Sequence, residues 1–504
     1  MTMELTKFSC ENWKAFKFAK IEIKPITILL GPNSVGKSSL NRVLLLFSQT
    51  ISHGKVRKSV LHFDKNQIHD SKSLFRNLDI NKLIDLSYEF ELHNDFKKFP
   101  KQVLELIIDI IKRSDSRVNI ILRDELDYIK QNEVSIDFFQ KLITKISIFY
   151  PKLRNNDEIN DSLELLFNIG KIKDKSLQLT FKLANREGRF VMLEKIIVNT
   201  GKKLLIEFSL TKKNNKTYYD ISSDFDETNL FQKYKSNINS VISDRLNLQY
   251  FKLEEFDLSK SKSFFIDFFF LIIHQAYRNL KRKIENEYIN YIPPIREFSK
   301  DSYNFYLGDS DIYTVDADKI IDILADNPIY VDKINQWFQK GEDYELIVQK
   351  ANNTTELKIK HQGMLQNING LGSGISEVLP VLVRILESKP GSINIIEHPE
   401  IHLHPKMQAD LVDFLVDNIK FSKKRRKHFI IETHSEYLLH RLRRKIAEKE
   451  VKADEVNLYF LSSNKELGSS KIEPIKISQI GDFNWPPNFS TVLDDTKVFV
   501  MSNL

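Results

Sequence analysis

A single cysteine, Cys10, serves all 504 residues, so the chain can form neither an internal disulfide nor a thiolate metal cluster. That suits a reducing cytoplasm. Long apolar runs are also missing. The longest, Phe264 to Ile273, is interrupted by Asp267 and is far too short for a bilayer, so it reads as a buried helix. The opening residues carry no signal-peptide pattern. A cytoplasmic location without membrane contact is therefore expected. No internal repeat, no low-complexity linker and no long heptad array is present. The net charge of +7 is small for this length, which permits nucleic-acid contact without arguing for it. The basic residues do form two dense runs, Lys423 to Lys427 and Arg441 to Lys445.

What is present is a phosphate loop. Gly31-Pro-Asn-Ser-Val-Gly-Lys-Ser38 satisfies G-x-x-x-x-G-K-[ST] at every required position. The apolar, β-branched run before it, Pro25 to Leu30, predicts a short buried strand. The Leu/Val-rich run Ser39 to Ser48 predicts a helix. Strand, loop and helix together make an anion site, because backbone N–H groups and the helix N-terminus face the phosphates. Gly31, Asn33, Ser34, Gly36, Lys37, Ser38 and Ser39 form that site. Lys37 is placed to reach the β- and γ-phosphates, and Ser38 to bind Mg²⁺.

Three further segments carry chemistry. Ser392 to Glu400 contains a buried strand ending at Glu397, the carboxylate expected to hold Mg²⁺ together with Ser38. His398, His402 and His404 follow it without a matching cage of ligands and are read as turn-shaping residues. Phe429 to Ser435 predicts another strand, with His434 just past its end, placed to meet a γ-phosphate or a partner subunit. Asn369 to Glu377 sets three glycines before a helix, a second anion-binding N-terminus that could close over ATP from another subunit.

With 41% hydrophobic and 28% charged residues, the chain can build a sizeable core and an ordinary polar surface. The expected division is an ATPase head from 1–93, a helical insertion from 94–290 holding an antiparallel meander at about 176–222, a second part of the head from 291–470, and a short tail domain from 471–504. A second helical block is expected over roughly 226–290.

The segments GPNSVGKSS, YIPPIREF, INGLGSGISEVLPVLV, IIEHPEIHLHP, FIIETHSEYLLHRLRRKI and GDFNWPPNF, in that order, resemble bacterial ABC-type ATPases. The similarity is to the SMC-like and overcoming-lysogenization-defect group, among AAA-family ATPases with a C-terminal domain of unknown function, of the kind found in phage-defence systems. The resemblance implies an α/β fold: an ABC-type P-loop ATPase head with an antiparallel β-subdomain and a mostly helical insertion. It implies ATP and Mg²⁺ as cofactors, and a homodimer or higher oligomer. ATP is then held between the phosphate loop of one head and Ser373 and Gly374 of another, with His434 as the switch histidine. Relatives place a catalytic glutamate where this chain has His398, so His398 and Glu400 both stand as the base. A separately encoded effector such as a nuclease is the expected partner, since no nuclease signature is visible here; DNA is possible. The competing readings are a DNA-repair or DNA-tethering ATPase, whose long heptad coiled coil is missing, and an energy-coupling transporter subunit, against which the large insertion argues.

Overall fold

The computed structural model describes residues 3–52, 71–92, 98–105, 128–129, 131–132, 134–147, 156–186, 190–213, 216–227, 229–235, 265, 288–294, 317–341, 343–351, 354–368, 373–419, 426–464 and 468–485. They fall into two compact units. One comprises residues 1–9, 49–62 and 70–285; the other comprises 10–48, 63–69 and 286–504.

Elements are numbered in chain order. Strand β1 (Met3–Trp13) runs through the division at residues 9 and 10 and is followed by β2 (Phe16–Glu22), β3 (Ile26–Leu30) and helix α1 (Lys37–Ser52). The first unit then contains β4 (Ile84–Leu92), α2 (Ile136–Ser147), α3 (Asn156–Gly170), β5 (Ser176–Arg186), β6 (Phe190–Thr200), β7 (Lys203–Lys213) and β8 (Lys216–Ser222). Its strand order is β8-β7-β6-β5-β4-β1, antiparallel from β4 to β8. In β4 the side chains of Ile84, Leu86, Tyr88, Phe90 and Leu92 are buried, while the residues between them are not. That period of two is how a pleated strand buries one face. Strands β5 to β8 form an antiparallel meander, and β4 pairs with β5 along its length. Of the helical block expected over 226–290, one turn at Leu230–Lys233 is described, and most of the block lies outside the described residues.

The second unit carries the phosphate loop. It adds β9 (Ile289–Ile292), α4 (Ala317–Asp326), α5 (Pro328–Gly341), β10 (Tyr344–Ala351), β11 (Thr354–His361), β12 (Met364–Asn367), α6 (Ser373–Glu387), β13 (Ile393–Glu397), α7 (Pro405–Ile419), β14 (His428–Glu432), α8 (Glu436–Ala447), β15 (Val456–Asn464) and β16 (Ser469–Ile475). The strand order is β2-β16-β15-β3-β14-β13-β9. From β15 to β9 every neighbour is parallel. Every residue of β3, β13 and β14 is buried. A parallel sheet covered on both faces selects such unbroken apolar runs, and Ile26, Ile28, Leu30, Ile396, Phe429 and Ile431 join one core with the inner faces of α6, α7 and α8. Helices α4 and α5 and the small sheet β10-β11-β12, unanticipated from sequence, join that core through Ile320, Trp337, Leu346 and Ile359. Strand β16 pairs with β15, and Phe483 beyond it is buried in the same core. Among the described residues no helix is long and apolar enough to cross a membrane, which says nothing of β-barrels.

Helix α6 ends on an unusual cap. Buried Lys427 donates its ammonium to the carbonyls of Ile385 (2.7 Å) and Leu386 (3.3 Å), two of the acceptors a helix C-terminus leaves unpaired. Burial, and then the charge of Lys333, lower the Lys427 pKa from 10.5 to about 8. Below about pH 8 both folded and unfolded chains hold this proton; between about 8 and 10.5 the unfolded chain binds more, so this group raises stability as pH rises through that window. Lys427→Met should flatten that rise, read as the shift in urea midpoint across the same window, while lowering stability overall through loss of the cap.

Candidate functional site

The loop between β3 and α1 depends on backbone positions that a side chain would spoil. Gly31 has φ +142°, and a Cβ there would lie 2.3 Å from the carbonyl oxygen of Leu461 in β15. The Gly36 carbonyl accepts the Leu40 N–H at 3.1 Å, which starts helix α1 immediately after the loop. Asn33 and Ser34 are exposed at the loop's crest, and Ser34 has φ +66°. Ser39 anchors the base through its carbonyl, which accepts the buried Trp13 Nε1–H at 2.9 Å.

Lys37 is buried. Its ammonium donates to the carbonyls of Gly31 and Pro32, both at 2.9 Å, and lies 3.2 Å from His434 Nε2 and 3.8 Å from Glu432 Oε1. Burial lowers its pKa, and Glu432, Glu400 and Glu397 pull it back up. The cation is thus held above the loop by carbonyl dipoles and three carboxylates.

Those carboxylates come from the ends of two neighbouring strands and the turn after one of them. Glu397 ends β13 and Glu432 ends β14, and the two are register partners. Because β14 lies between β3 and β13, its terminal acid is about one strand spacing, ~4.8 Å, nearer the phosphate loop. The Ser38 hydroxyl accordingly donates to Glu432, at 2.9 Å and 3.2 Å to its two oxygens. Glu397 is reached one turn further along α1: Asn41 Nδ2 donates to Glu397 Oε1 at 3.1 Å and to Glu432 Oε2 at 3.4 Å. The Tyr291 hydroxyl donates to Glu397 Oε2 at 3.2 Å. Burial, then the negative charge of Glu432, push the Glu397 pKa up. Burial and Glu397 do the same to the Tyr291 hydroxyl, which stays a donor.

The turn after β13 opens with His398 at φ +49°. Its Nδ1 lies 3.6 Å from Glu400 Oε1 and its Nε2 lies 3.4 Å from Glu432 Oε1. Bonding to Glu400 and Glu432 raises its pKa from 6.5 to about 9, so the ring is an imidazolium at neutral pH. A protonated ring has no lone pair to take a proton, which works against His398 as the base in this arrangement. Burial disfavours a charged Glu400, but His398 and the backbone N–H of His434 (2.8 Å) outweigh it and keep its pKa below the ordinary range. His434 stacks on His398 with centroids 5.3 Å apart. Burial and the charges of Lys37 and His398 lower the His434 pKa, so that ring is neutral.

Lys37, Ser38, Glu397, His398, Glu400 and His434 are therefore brought together. The remaining histidines go elsewhere: His402 Nε2 lies 3.7 Å from Glu377 of α6, and His404 Nδ1 accepts the Lys406 N–H at 3.4 Å. Among the described residues no group of three or more His, Cys, Asp or Glu could by itself hold a metal ion. Ser373 and Gly374 begin α6, and the Gly374 backbone lies so close to the turn after β13 that a Cβ would stand 2.6 Å from the His402 carbonyl oxygen. Glu432, Asn41 and Tyr291 escaped sequence reading. The signal for Glu432 was present, since Ile-Ile-Glu closes both acidic strands.

The oxygen-rich set fits a magnesium nucleotide. Ser38, Glu397 and Glu432 are the hard donors that Mg²⁺ selects. Asn41 Oδ1, in their midst, is buried and has no hydrogen-bond donor among the described residues.

Parallel strands with a phosphate loop at one end and acids at the ends of the next two define an α/β P-loop ATPase head. The comparisons agree. The family described as an AAA ATPase domain matches residues 3–439, and the chain belongs to it. No curated protein gives a significant match. Similar solved structures include an Smc head bound to the C-winged helix domain of ScpA (10% identity, 94% of this chain and 98% of that one, TM-score 0.38). Another is the SMC head domain from Thermotoga maritima (11%, 94% and 100%, TM-score 0.35). A third is an Smc head with an extended coiled coil bound to the C-terminal domain of ScpA, derived from Pyrococcus furiosus (10%, 100% and 100%, TM-score 0.36). The strand order and the family model together give an α/β ATPase domain.

In the nucleotide-free chain, one imidazole should keep its proton up to about pH 9 in NMR titration and vanish from the spectrum in His398→Gln. Glu400→Gln should move that midpoint down. Since the folded pKa lies above the unfolded value, the stability His398 contributes is complete below pH 6.5 and lost as pH rises through about 9.

Proposed function

We propose that this protein is an ATP-hydrolysing switch whose heads close in pairs around ATP and control a separately encoded effector, such as a nuclease, in bacterial antiphage defence. The observation that carries the catalytic part is the convergence of Lys37 and Ser38 with Glu432, Glu397 and Glu400. The oligomeric and defence parts rest on the motif resemblance.

In this reading the loop from Gly31 to Ser39 binds the phosphates through its N–H groups, and Lys37 neutralises them. Ser38, with the acids Glu397 and Glu432, would hold Mg²⁺, which supplies charge neutralisation at the phosphates. Glu400, the ionised carboxylate of the turn, accepts the proton of the attacking water. His398 holds its proton, orients Glu400 and faces the developing negative charge. Neutral His434 reports on the γ-phosphate. Ser373 and Gly374 of one head cover the nucleotide of its partner, and α6 links that contact to the turn carrying Glu400 through the Gly374–His402 approach. A histidine in place of a catalytic glutamate makes turnover slow, which suits a sensor that dwells with ATP bound.

The alternative, an SMC-like ATPase that tethers DNA, requires free basic surface. In the densest described basic run, Arg441 pairs with Asp410 and Asp413, Arg443 with Asp482, Arg444 with Glu448, and Lys445 with Asp413 and Glu450. Cations already paired release fewer counterions on binding DNA, which favours the switch.

Lys37→Ala should abolish hydrolysis and weaken ATP binding. Glu397→Gln should cut turnover by about a hundredfold or more and accumulate an ATP-bound dimer, visible by light scattering. Glu400→Gln should lower kcat by about a hundredfold, more than His398→Ala does. Equal, parent-like rates in both would remove the two residues from the reaction. Co-expression with the neighbouring genes, followed by purification with and without ATP, tests the effector: a partner retained in only one nucleotide state supports the switch. ATP-dependent binding to duplex DNA with a steep salt slope supports the alternative.

A further inference from the structure

The buried acid at the end of β14 has no part in the phosphate-loop pattern. Glu432 is 3% exposed, yet one carboxylate collects the Ser38 hydroxyl, the Asn41 amide, the Lys37 ammonium at 3.8 Å and His398 Nε2 at 3.4 Å. It is thus bonded to the hydroxyl that a phosphate-loop site reserves for its cation, and it lies against the lysine reserved for phosphate. Glu397, its register partner, accepts from Asn41 and Tyr291.

We propose that Glu432 is the residue that makes nucleotide binding conditional on a divalent cation: without the metal its charge occupies the phosphate side of the site and repels a triphosphate, and with the metal that charge becomes a point of attachment. The inference rests on the nucleotide-binding reading of the loop. Its physical basis is charge and place. A triphosphate brings several negative charges to a site that already holds Glu397, Glu400 and Glu432 against Lys37 and His398. In a buried setting, like charges a few ångströms apart repel far more strongly than in water. Glu432 contacts both Ser38 and Lys37, so its charge bears directly on metal-free nucleotide. A glutamine keeps the Asn41 side of the cluster and can still accept the Ser38 hydroxyl through its amide oxygen, so the neutral variant is expected to fold.

The test is equilibrium binding of the non-hydrolysable β,γ-imido analogue of ATP to the full chain, by calorimetry, in excess Mg²⁺ and in excess EDTA. The parent should bind at least about tenfold more weakly in EDTA. Glu432→Gln should bind the metal-free analogue about tenfold more tightly than the parent does and lose most of its response to Mg²⁺. The charge-conserving Glu432→Asp should keep the parent's ratio. A Glu432→Gln protein as magnesium-dependent as the parent overturns the proposal, as does a Glu432→Asp protein that has lost the dependence. A parent that binds the analogue under neither condition removes the nucleotide reading as well, so the two failures are distinct.

Discussion

Two carboxylates buried side by side, Glu397 and Glu432, are the constraint around which the second unit is arranged. They end neighbouring parallel strands at the same register, where the chain has no freedom to separate them. Burial and mutual repulsion both disfavour a doubly ionised pair, which is why the Glu397 pKa moves up. Lys37, Asn41, Ser38, Tyr291 and the His398 imidazolium are all placed to offset that cost. In the proposed function, a cation entering between these acids would relieve that repulsion.

The turn after β13 ties this charge cluster to the rest of the unit. His398 and His402 both adopt positive φ, Glu400 accepts the N–H of His434, and the backbone of Gly374 fits against His402 with no space for a side chain. Helix α6 is thus packed directly on the turn that carries Glu400. At its other end the helix is capped by Lys427, the residue just before β14. Both ends of α6 are therefore held by segments that lead into or out of the acidic strands.

Much of this was readable from residue order. Gly31 to Ser38 identifies the anion site because few sequences satisfy its glycine, lysine and serine positions, and the buried strands β3, β13 and β14 announce themselves as short apolar runs. The antiparallel meander was legible from alternation and from the turn glycine Gly201. Helices α4 and α5 and the sheet β10-β11-β12 were not, because no functional motif drew attention to them and their contribution is to cover the core. The basic run at 441–445 invited a nucleic-acid reading; in the fold Arg441, Arg443 and Lys445 pair with Asp410, Asp413 and Asp482, which local composition does not reveal, whereas Arg444–Glu448 is a local i,i+4 pair.

Local sequence alone determined that a phosphate loop and apolar strands ending in acids exist, since each is encoded in a few consecutive residues. Which acid meets Ser38 was decided only by tertiary structure. The insertion of β14 between β3 and β13 brings Glu432, from a segment nearly four hundred residues downstream, one strand closer to the loop than Glu397. Strand order is a property of the whole sheet, settled by how crossover helices pack, and no stretch of the chain carries it by itself.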